Sequence, residues 1–162
     1  MADTIITLRL AEPSDVELLV KFNKAHAAEV EDKGLDPDVL RKGISHLMEE
    51  PHDGFYLVAE VPTKDGKDVA SAGTLMVTKE WSDWRNGQFW WIQSVYVHPE
   101  YRRQGIYSAL HNEVARLARD AGNCCGLRLY VEKENTGAQA TYRAHNMEET
   151  YYLMFEEDWS AG

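Results

Sequence analysis

The spacing of hydrophobic and polar positions changes along this chain, and it predicts alternating strands and helices. Period-two alternation or short apolar runs are typical of strands, and they occur over Ile5–Leu10, Phe55–Val61, Val69–Lys79, Phe89–Val97, Gly126–Glu132 and Thr150–Glu156. Apolar residues recur at helical spacing from Pro13 to about Ala28, from Pro37 to Met48, over Gly105–Ala121 and over Thr136–His145. Asp36 is expected to cap the second helix, and Gly122 to end the third.

The order of these segments predicts an α/β fold with a mixed sheet. Strands follow one another in the first half of the chain, with an Asp65-Gly66 hairpin signal between two of them. Strands and helices alternate only in the second half, which indicates parallel pairing around the helix at Gly105. Phe89–Val97 is apolar on both faces and is expected to lie inside the sheet. A chain of 162 residues suits one domain, which we place at residues 5–157.

Composition narrows the possible partners. The formal net charge of −10 argues against nucleic acid and anionic membranes and is compatible with a cationic substrate. No apolar run approaches the roughly 20 residues that a membrane helix needs, and no leader pattern follows Met1, so we expect a cytoplasmic protein. Cys124 and Cys125 are neighbours and are interpreted as reduced thiols at the start of a buried strand. Histidines and cysteines show no ligand spacing, so no metal is expected.

Residues 95–108 are the most informative stretch. An apolar strand runs through a basic turn, Arg102-Arg103, into a helix opened by Gly105. Such a junction directs backbone N–H groups and the positive end of the helix dipole at one place, which favours a phosphate or pyrophosphate. The alternative is an ordinary strand–turn–helix with a solvated arginine pair. The stretch lacks the lysine of a Walker loop and the glycines of a dinucleotide fingerprint.

The segment Arg102-Arg103-Gln104-Gly105-Ile106-Tyr107 resembles the acyl-CoA motif Gln/Arg-x-x-Gly-x-Gly/Ala of the GNAT superfamily of N-acetyltransferases. Tyr107 departs from the small residue that is usual at the last position, so its ring must turn away or pack on the cofactor. Asn135-Thr136-Gly137-Ala138 followed by Tyr142 is similar to the family's later Asn-x-x-Ala-x-x-x-Tyr motif. The resemblance spans residues 5–157 and implies the GNAT fold, in which two parallel strands splay apart to admit the pantetheine arm of acetyl-CoA.

The resemblance also implies which residues form the cofactor site. It assigns cofactor contacts to Val95, Tyr96, Val97, Arg102, Arg103, Gln104, Gly105, Ile106, Tyr107, Ser108, Asn135, Ala138 and Tyr142. The strand residues among them would bind through their backbone, as at a sheet edge. Tyr142 aligns with the tyrosine that protonates the leaving thiolate in relatives, and simple packing on a helix face is the alternative for it.

The general base is the open question. Several polyamine-acetylating relatives carry a glutamate on the strand before the cofactor loop, where this chain has Gln93. A glutamine orients a water or an amine but accepts no proton at neutral pH. Replacement candidates are His26, Glu29 and Glu31, for each of which a solvated surface role is the alternative. His98 and His111 are not expected to be catalytic.

A tryptophan cluster comprises Trp81, Trp84, Trp90 and Trp91. Core packing or a dimer contact is one interpretation, and an aromatic wall that favours an amine through cation–π contact is the other. The expected acceptor-site residues are Glu29, Glu31, Trp84, Trp91 and Tyr130, with Gln93 and Tyr142 as the catalytic pair.

The resemblance therefore implies an acetyl-CoA-dependent N-acetyltransferase that acts on a small primary amine. The segment from Met76 to Val97 is similar to the spermidine/spermine branch, which favours a polyamine-like acceptor. Two alternatives stay open, a non-catalytic acyl-CoA-binding module on the same fold and a nucleotide-phosphate binder. The tryptophan-rich strand and its turn carry more aromatic surface than one small domain readily covers, and together with the family resemblance this predicts a homodimer in which the partner covers Trp81 or Trp84.

Overall fold

The computed structural model describes residues 3–30 and 34–160. The elements, in chain order, are β1 (Thr7–Leu10), α1 (Val16–Val30), α2 (Pro37–Glu49), β2 (Gly54–Pro62), β3 (Val69–Ser82), β4 (Gly87–Val97), α3 (Ile106–Asp120), β5 (Cys124–Arg128) and α4 (Thr136–Ala144). Short 3₁₀ helices occupy Pro13–Asp15 and Pro99–Tyr101. The contacts divide the chain into two compact units, Met1–Tyr130 and Val131–Gly162. None of the helices within the described ranges has both the length and the apolar character that a bilayer crossing needs.

The first unit is built on a five-stranded sheet in the order β1-β2-β3-β4-β5. Pairs β1–β2, β2–β3 and β3–β4 are antiparallel, and β4–β5 is parallel. The prediction of a mixed sheet is therefore confirmed, and β4 lies inside it. A single domain over residues 5–157 stays a prediction.

Helices cover both faces of this sheet. On one face α3 packs into a core cluster, whose fully buried side chains include Leu57, Leu75, Val77, Ile106, Leu110 and Val114. On the other face α1 and α2 contribute Leu19, Val20, Ile44 and Leu47, which pack with Tyr56. Burial raises the pKa of Tyr56 to about 12, so its hydroxyl stays protonated in this apolar surrounding. Alternation along each strand directs successive side chains to these two cores.

Local sequence signals fix the ends of several elements. The carboxylate of Asp36 accepts hydrogen bonds from the N–H groups of Asp38 and Val39 at 2.8 and 3.3 Å, which caps α2 as expected. Gly105 and Gly122 flank α3 with φ values of 81° and 76°, in the left-handed region that glycine adopts without a Cβ penalty. The first glycine opens the helix, and the second follows its last turn.

In the last third of the chain one strand prediction has the wrong bounds and another is wrong. The fifth strand begins at Cys124 and ends at Arg128 instead of covering Gly126–Glu132, and no residue in it is fully buried, because it lies at the edge of the sheet. The thiols of Cys124 and Cys125 are free, half-buried and exposed respectively.

The predicted strand Thr150–Glu156 has no regular secondary structure. Alternating side chains form a strand only against a neighbour's hydrogen-bond ladder, and within the described residues no strand pairs with this segment. Its large apolar side chains are exposed, and with the tryptophan that follows they comprise Tyr151, Tyr152, Leu153, Met154, Phe155 and Trp159.

Candidate functional site

The parallel pairing of β4 with β5 ends about halfway along β4. Their parallel pairing runs from Gln88 opposite Cys124 to Trp91 opposite Arg128, and it ends there. On the other side, β4 stays paired with β3 as far as Val97 opposite Gly73, and the N–H of His98 donates to the Ala72 carbonyl at 2.9 Å. Backbone groups alternate in direction along a strand, so those of Val95 and Val97 point away from β3, to the open edge.

Tyr96 differs from its two neighbours. It forms the intervening pair with Thr74, so its N–H and C=O are directed at β3. Of the three backbone segments expected to bond the pantetheine arm, Val95 and Val97 lie at the open edge. The parting of β4 and β5 thus produces the splayed geometry that the family resemblance implies.

Gln93 is an extra residue in β4. Met76 of β3 lies opposite Ser94 while Val77 lies opposite Ile92, so Gln93 forms a bulge. Bulges re-aim side chains and interrupt the ladder, and they are frequent beside functional sites. Val77 belongs to the core on the α3 side, so the next residue, Thr78, faces the α1–α2 side.

The Gln93 side chain is held from two directions on that face. Its amide nitrogen donates to the Thr78 hydroxyl at 2.9 Å, and its amide oxygen accepts from the Tyr130 hydroxyl at 3.3 Å. These contacts link β3, the bulge and the segment that follows β5. The sequence placed Gln93 and Tyr130 in the site but missed Thr78, which the strand register alone could have located.

The tryptophan cluster is divided by the sheet. Trp90 is buried, 5.3 Å from the ring of Phe55, and its indole N–H has no acceptor within the described part of the chain. Trp91 is half-buried and its ring lies 6.2 Å from that of Tyr130, so these two form an aromatic pair beside Gln93. Core packing is thus correct for Trp90, and the aromatic wall has its geometric basis in Trp91.

Trp81 and Trp84 lie at the hairpin between β3 and β4, 58% and 89% exposed. Gln93 is six residues beyond Gly87, the first residue of β4, which at about 3.3 Å per residue places the hairpin about 20 Å along the strand. The indole of Trp84 is therefore remote from the Gln93 bulge, and the interface alternative is the one its position favours.

The basic turn before α3 uses its two arginines differently. Arg102 donates from Nε to the Val97 carbonyl at 2.9 Å and from Nη2 to the Glu29 carboxylate at 2.6 Å. Arg103 has a left-handed φ of 63°, is exposed, and has no ion-pair or hydrogen-bond partner in the described ranges. Arg103 is thus the arginine whose guanidinium is available to an anion, and Arg102 connects the open edge of β4 to α1.

The start of α3 presents backbone at the surface. The N–H groups in the first turn of a helix point out of its N-terminal end, and the Ile106 side chain is buried in the core beneath. A Cβ on Gly105 would meet no described atom within 4 Å, so the space in front of this end is open. Gln104 points elsewhere, donating to the Glu100 carbonyl at 3.0 Å and accepting from Thr4.

Tyr107 turns away from the N-terminal end of α3. Its hydroxyl lies 3.1 Å from Nδ1 of His111, one turn along the helix, and His111 is buried. Of the two positions expected for this ring, turned away or packed on the cofactor, the contact with His111 corresponds to the first. Ser108, the next residue of the motif, is half-buried in the same turn.

Helix α1 packs against β4 on the face of the sheet opposite to α3, where its side chains contact Tyr96. The ring of Phe22 is 4.9 Å from that of Tyr96, and the ring of half-buried His26 meets Tyr96 edge-on at 6.4 Å. Burial raises the pKa of the Tyr96 hydroxyl, and the nearby Glu29 carboxylate raises it further. Of the other base candidates, Glu29 is engaged by Arg102, and Glu31 lies outside the described residues.

The second unit contains the later motif. The side-chain oxygen of Asn135 accepts from the N–H of Ala138 at 3.1 Å, so this asparagine caps α4. Tyr142 lies in the last turn of that helix, and burial raises the pKa of its hydroxyl. The spacing Asn-x-x-Ala therefore has a structural reason of its own, and the cofactor roles of Asn135, Ala138 and Tyr142 stay predictions.

A family model described as the acetyltransferase (GNAT) family matches residues 19–147. The chain belongs to this family. A solved structure of a possible acetyltransferase from Clostridium difficile 630 is 45% identical, with a TM-score of 0.85, covering 95% of this chain and 97% of that one. The structure of aminoglycoside N-acetyltransferase AAC(6′)-Iy, 17% identical with a TM-score of 0.76 over 98% of this chain and 97% of that one, shares the GNAT fold.

Similarity to a curated protein is narrower. Thialysine N-epsilon-acetyltransferase from Bos taurus is 37% identical over 94 residues, which cover 56% of this chain and 54% of the bovine protein. The pig protein of the same name is 36% identical over 89 residues, 54% of this chain and 51% of its own length. The chain spans about half the length of the curated relatives it matches.

Proposed function

We propose that this GNAT protein is an N-acetyltransferase that transfers the acetyl group of acetyl-CoA to a small primary amine by direct attack on the thioester. The observation that carries the proposal is the separation of β4 and β5, which leaves the backbone edge of Val95 and Val97 without a partner strand in the described part of the chain, close to the open N-terminal end of α3. An extended amide chain fits the strand edge, and a pyrophosphate fits the helix end with Arg103 beside it. The relative AAC(6′)-Iy has been solved in complex with CoA.

The residues near the separation of β4 and β5 are proposed to have different roles in the reaction. Bound acetyl-CoA supplies the activated acyl group as a thioester. The bulge at Gln93 interrupts the β3–β4 ladder where that group would reach, so its backbone N–H groups are the candidate donors for the oxyanion. The Gln93 amide, fixed by Thr78 and Tyr130, orients the acceptor nitrogen.

Deprotonating the amine is the costly step. A primary amine with a pKa near 10.4 lies about three units above neutral pH, which corresponds to about 4 kcal/mol. Gln93 cannot accept that proton, whereas His26, beside Tyr96 on the α1 side, carries an imidazole, the side chain most often used as a general base. We therefore assign His26 as the base, acting directly or through water.

Tyr142 is proposed to protonate the leaving thiolate, on the strength of the Asn135–Tyr142 motif. A phenol near pKa 10 facing a thiol near 8.5 makes the transfer about 2 kcal/mol uphill in water, and burial raises the phenol's pKa further. The hydroxyl therefore keeps its proton across the neutral range, and the transfer must be driven by the charge of the leaving thiolate in the site.

The acceptor is proposed to be a small aliphatic amine. The aromatic pair Trp91–Tyr130 borders Gln93 and offers ring faces to a cation. The curated relatives are named for thialysine acetylation, and the Met76–Val97 segment is similar to the spermidine/spermine branch. A lysine analogue and a polyamine are both chains that end in a primary ammonium, the chemistry this site suits.

We also propose a cytoplasmic homodimer. Trp81 and Trp84 are exposed in the first unit, and exposed apolar groups of this kind usually mark an interface. A second copy is the simplest cover, because two-fold pairs are the commonest assembly of soluble proteins.

The test of the proposed function is a panel of primary amines with acetyl-CoA, scored by release of free CoA thiol. Spermidine, putrescine, thialysine and lysine are the first members, and an amine-free reaction is the control. Amine-dependent release together with the acetylated product by mass spectrometry is the expected result.

The second candidate function is a non-catalytic acyl-CoA-binding module. The specific observation in its favour is the Gln93 side chain, which is neutral and already hydrogen-bonded at both ends. Tight CoA binding with no turnover across the panel would support the module and contradict the enzyme.

A further inference from the structure

The ion pair between Glu29 and Arg102 joins residues 73 positions apart, one near the end of α1 and the other in the turn before α3. The distance from Nη2 to Oε2 is 2.6 Å, and the two side chains are 41% and 45% exposed. Arg102 also donates to the Val97 carbonyl and lies over the Tyr96 ring at 5.8 Å. Its guanidinium is therefore anchored by β4 on one side and by α1 on the other.

This pair holds together one residue expected on the cofactor side and one expected on the acceptor side. While the pair is closed, Arg102 is not available to phosphates and the Glu29 charge is not available to an ammonium group. Both side chains are partly solvated, so opening the pair leaves neither charge buried, and the pair is worth little by itself. An exposed pair of this strength is one that a competing anion or cation can open.

We propose that Glu29 and Arg102 form an exchangeable ion pair that couples the two substrate sites. Arg102 leaves Glu29 for the phosphates of the acyl-CoA, and Glu29 is thereby released to hold the cationic end of the acceptor amine. The inference rests on the proposed function, because it needs both substrates. Coupling between binding sites is reciprocal, so an amine held by Glu29 also favours the arrangement in which Arg102 serves the cofactor.

The proposal predicts opposite effects of one substitution on the two substrates. Glu29→Gln keeps the shape of the side chain and removes its charge. The phosphates of CoA then no longer compete with a carboxylate for the Arg102 guanidinium. CoA binding should tighten by about twofold to fivefold, the range that an exposed ion pair supports. The KM for the amine that the parent acetylates in the panel should rise by a similar or larger factor, because its carboxylate partner is gone.

The chain offers a matched control in Glu100. This glutamate is exposed in the Pro99–Tyr101 turn, close in sequence to Arg102, and its carboxylate has no hydrogen-bond partner over the described ranges. Glu100→Gln removes the same charge from the same surface and should leave CoA affinity within about 1.5-fold, because solvent and salt screen it. Two further variants complete a double-mutant cycle: the single variant Arg102→Gln, and the double variant that carries both Glu29→Gln and Arg102→Gln.

The decisive readout is CoA affinity by titration calorimetry, which needs no turnover. The expected result is that Glu29→Gln tightens CoA binding only when Arg102 is present. Equal effects of Glu29→Gln and Glu100→Gln, or a gain that survives Arg102→Gln, would overturn the coupling, as would an unchanged KM for the amine. If the parent binds CoA but acetylates no amine, the proposed function fails, and the calorimetric cycle still decides whether Glu29 competes for Arg102.

Discussion

Replacing Gly105 with alanine tests whether backbone at the start of α3 approaches a ligand. Gly105 has a φ of 81°, and a Cβ there would meet no described atom within 4 Å. The cost is therefore conformational, about 1–2 kcal/mol for a left-handed alanine, offset by about 0.4–1 kcal/mol because alanine restricts the unfolded chain. The free energy of unfolding should fall by about 0.5–1 kcal/mol, which lowers Tm by about 1–4 °C.

Gly122→Ala is the matched control. Gly122 has a φ of 76°, the same open surroundings, and a position just past the other end of α3. Both variants should lose the same stability in urea unfolding, whereas only Gly105→Ala places a methyl group where the pyrophosphate would lie. CoA affinity by calorimetry should fall at least about tenfold in that variant, about 1.4 kcal/mol, and stay at the parent value in the control. Equal CoA affinity in the two variants would refute the phosphate assignment.

The remaining predictions concern the proton donor, the acid stability and the assembly. Tyr142→Phe should lower kcat at least about tenfold, about 1.4 kcal/mol in barrier, with CoA affinity within a few fold; unchanged kcat would return Tyr142 to a packing role. The Arg9 guanidinium, bonded to Asp15 at 2.7 and 2.9 Å, holds the pKa of that carboxyl below its usual range. A depressed folded pKa gives stability that is present above the unfolded value, near 3.9, and is lost as pH falls through the folded value. Asp15→Asn should therefore cost about 1–3 kcal/mol at pH 7 and flatten the acid limb of urea unfolding; an unchanged limb would contradict the assignment. Light scattering at micromolar concentration should give twice the chain mass, and a value near 18.5 kDa would contradict the homodimer. The substitution Trp84→Ala should weaken that dimer. If the dimer stays intact and the amine selectivity shifts instead, Trp84 belongs to the acceptor site.

Short-range signals were enough to place most helix ends and the cofactor turn. The Asp36 cap depends on N–H groups two and three residues away, and the glycines at the ends of α3 are needed for their own φ values. The mixed sheet also followed from the sequence, because the order of strands and helices limits how neighbours can pair. The cofactor motif could be recognised for the same reason as the Asp36 cap, because its residues lie close together in the chain.

The errors and omissions come from long-range contacts. The segment Thr150–Glu156 alternates like a strand, but pairing with another part of the sheet is what makes a strand, and alternation does not supply it. The bulge at Gln93 depends on the register of β3, and its Thr78 and Tyr130 contacts span 15 and 37 residues. The sequence also assigned Arg102 and Glu29 to separate sites, because nothing local reveals that they form a pair.

The most direct test of the central claim is the release of free CoA from acetyl-CoA in the presence of each amine of the panel. An N-acetyltransferase of this kind releases CoA in a way that depends on the amine and saturates with it, and it yields an N-acetylated product by mass spectrometry. Saturable binding of CoA by the same preparation, with release no faster than in the amine-free control for every amine tested, would contradict it.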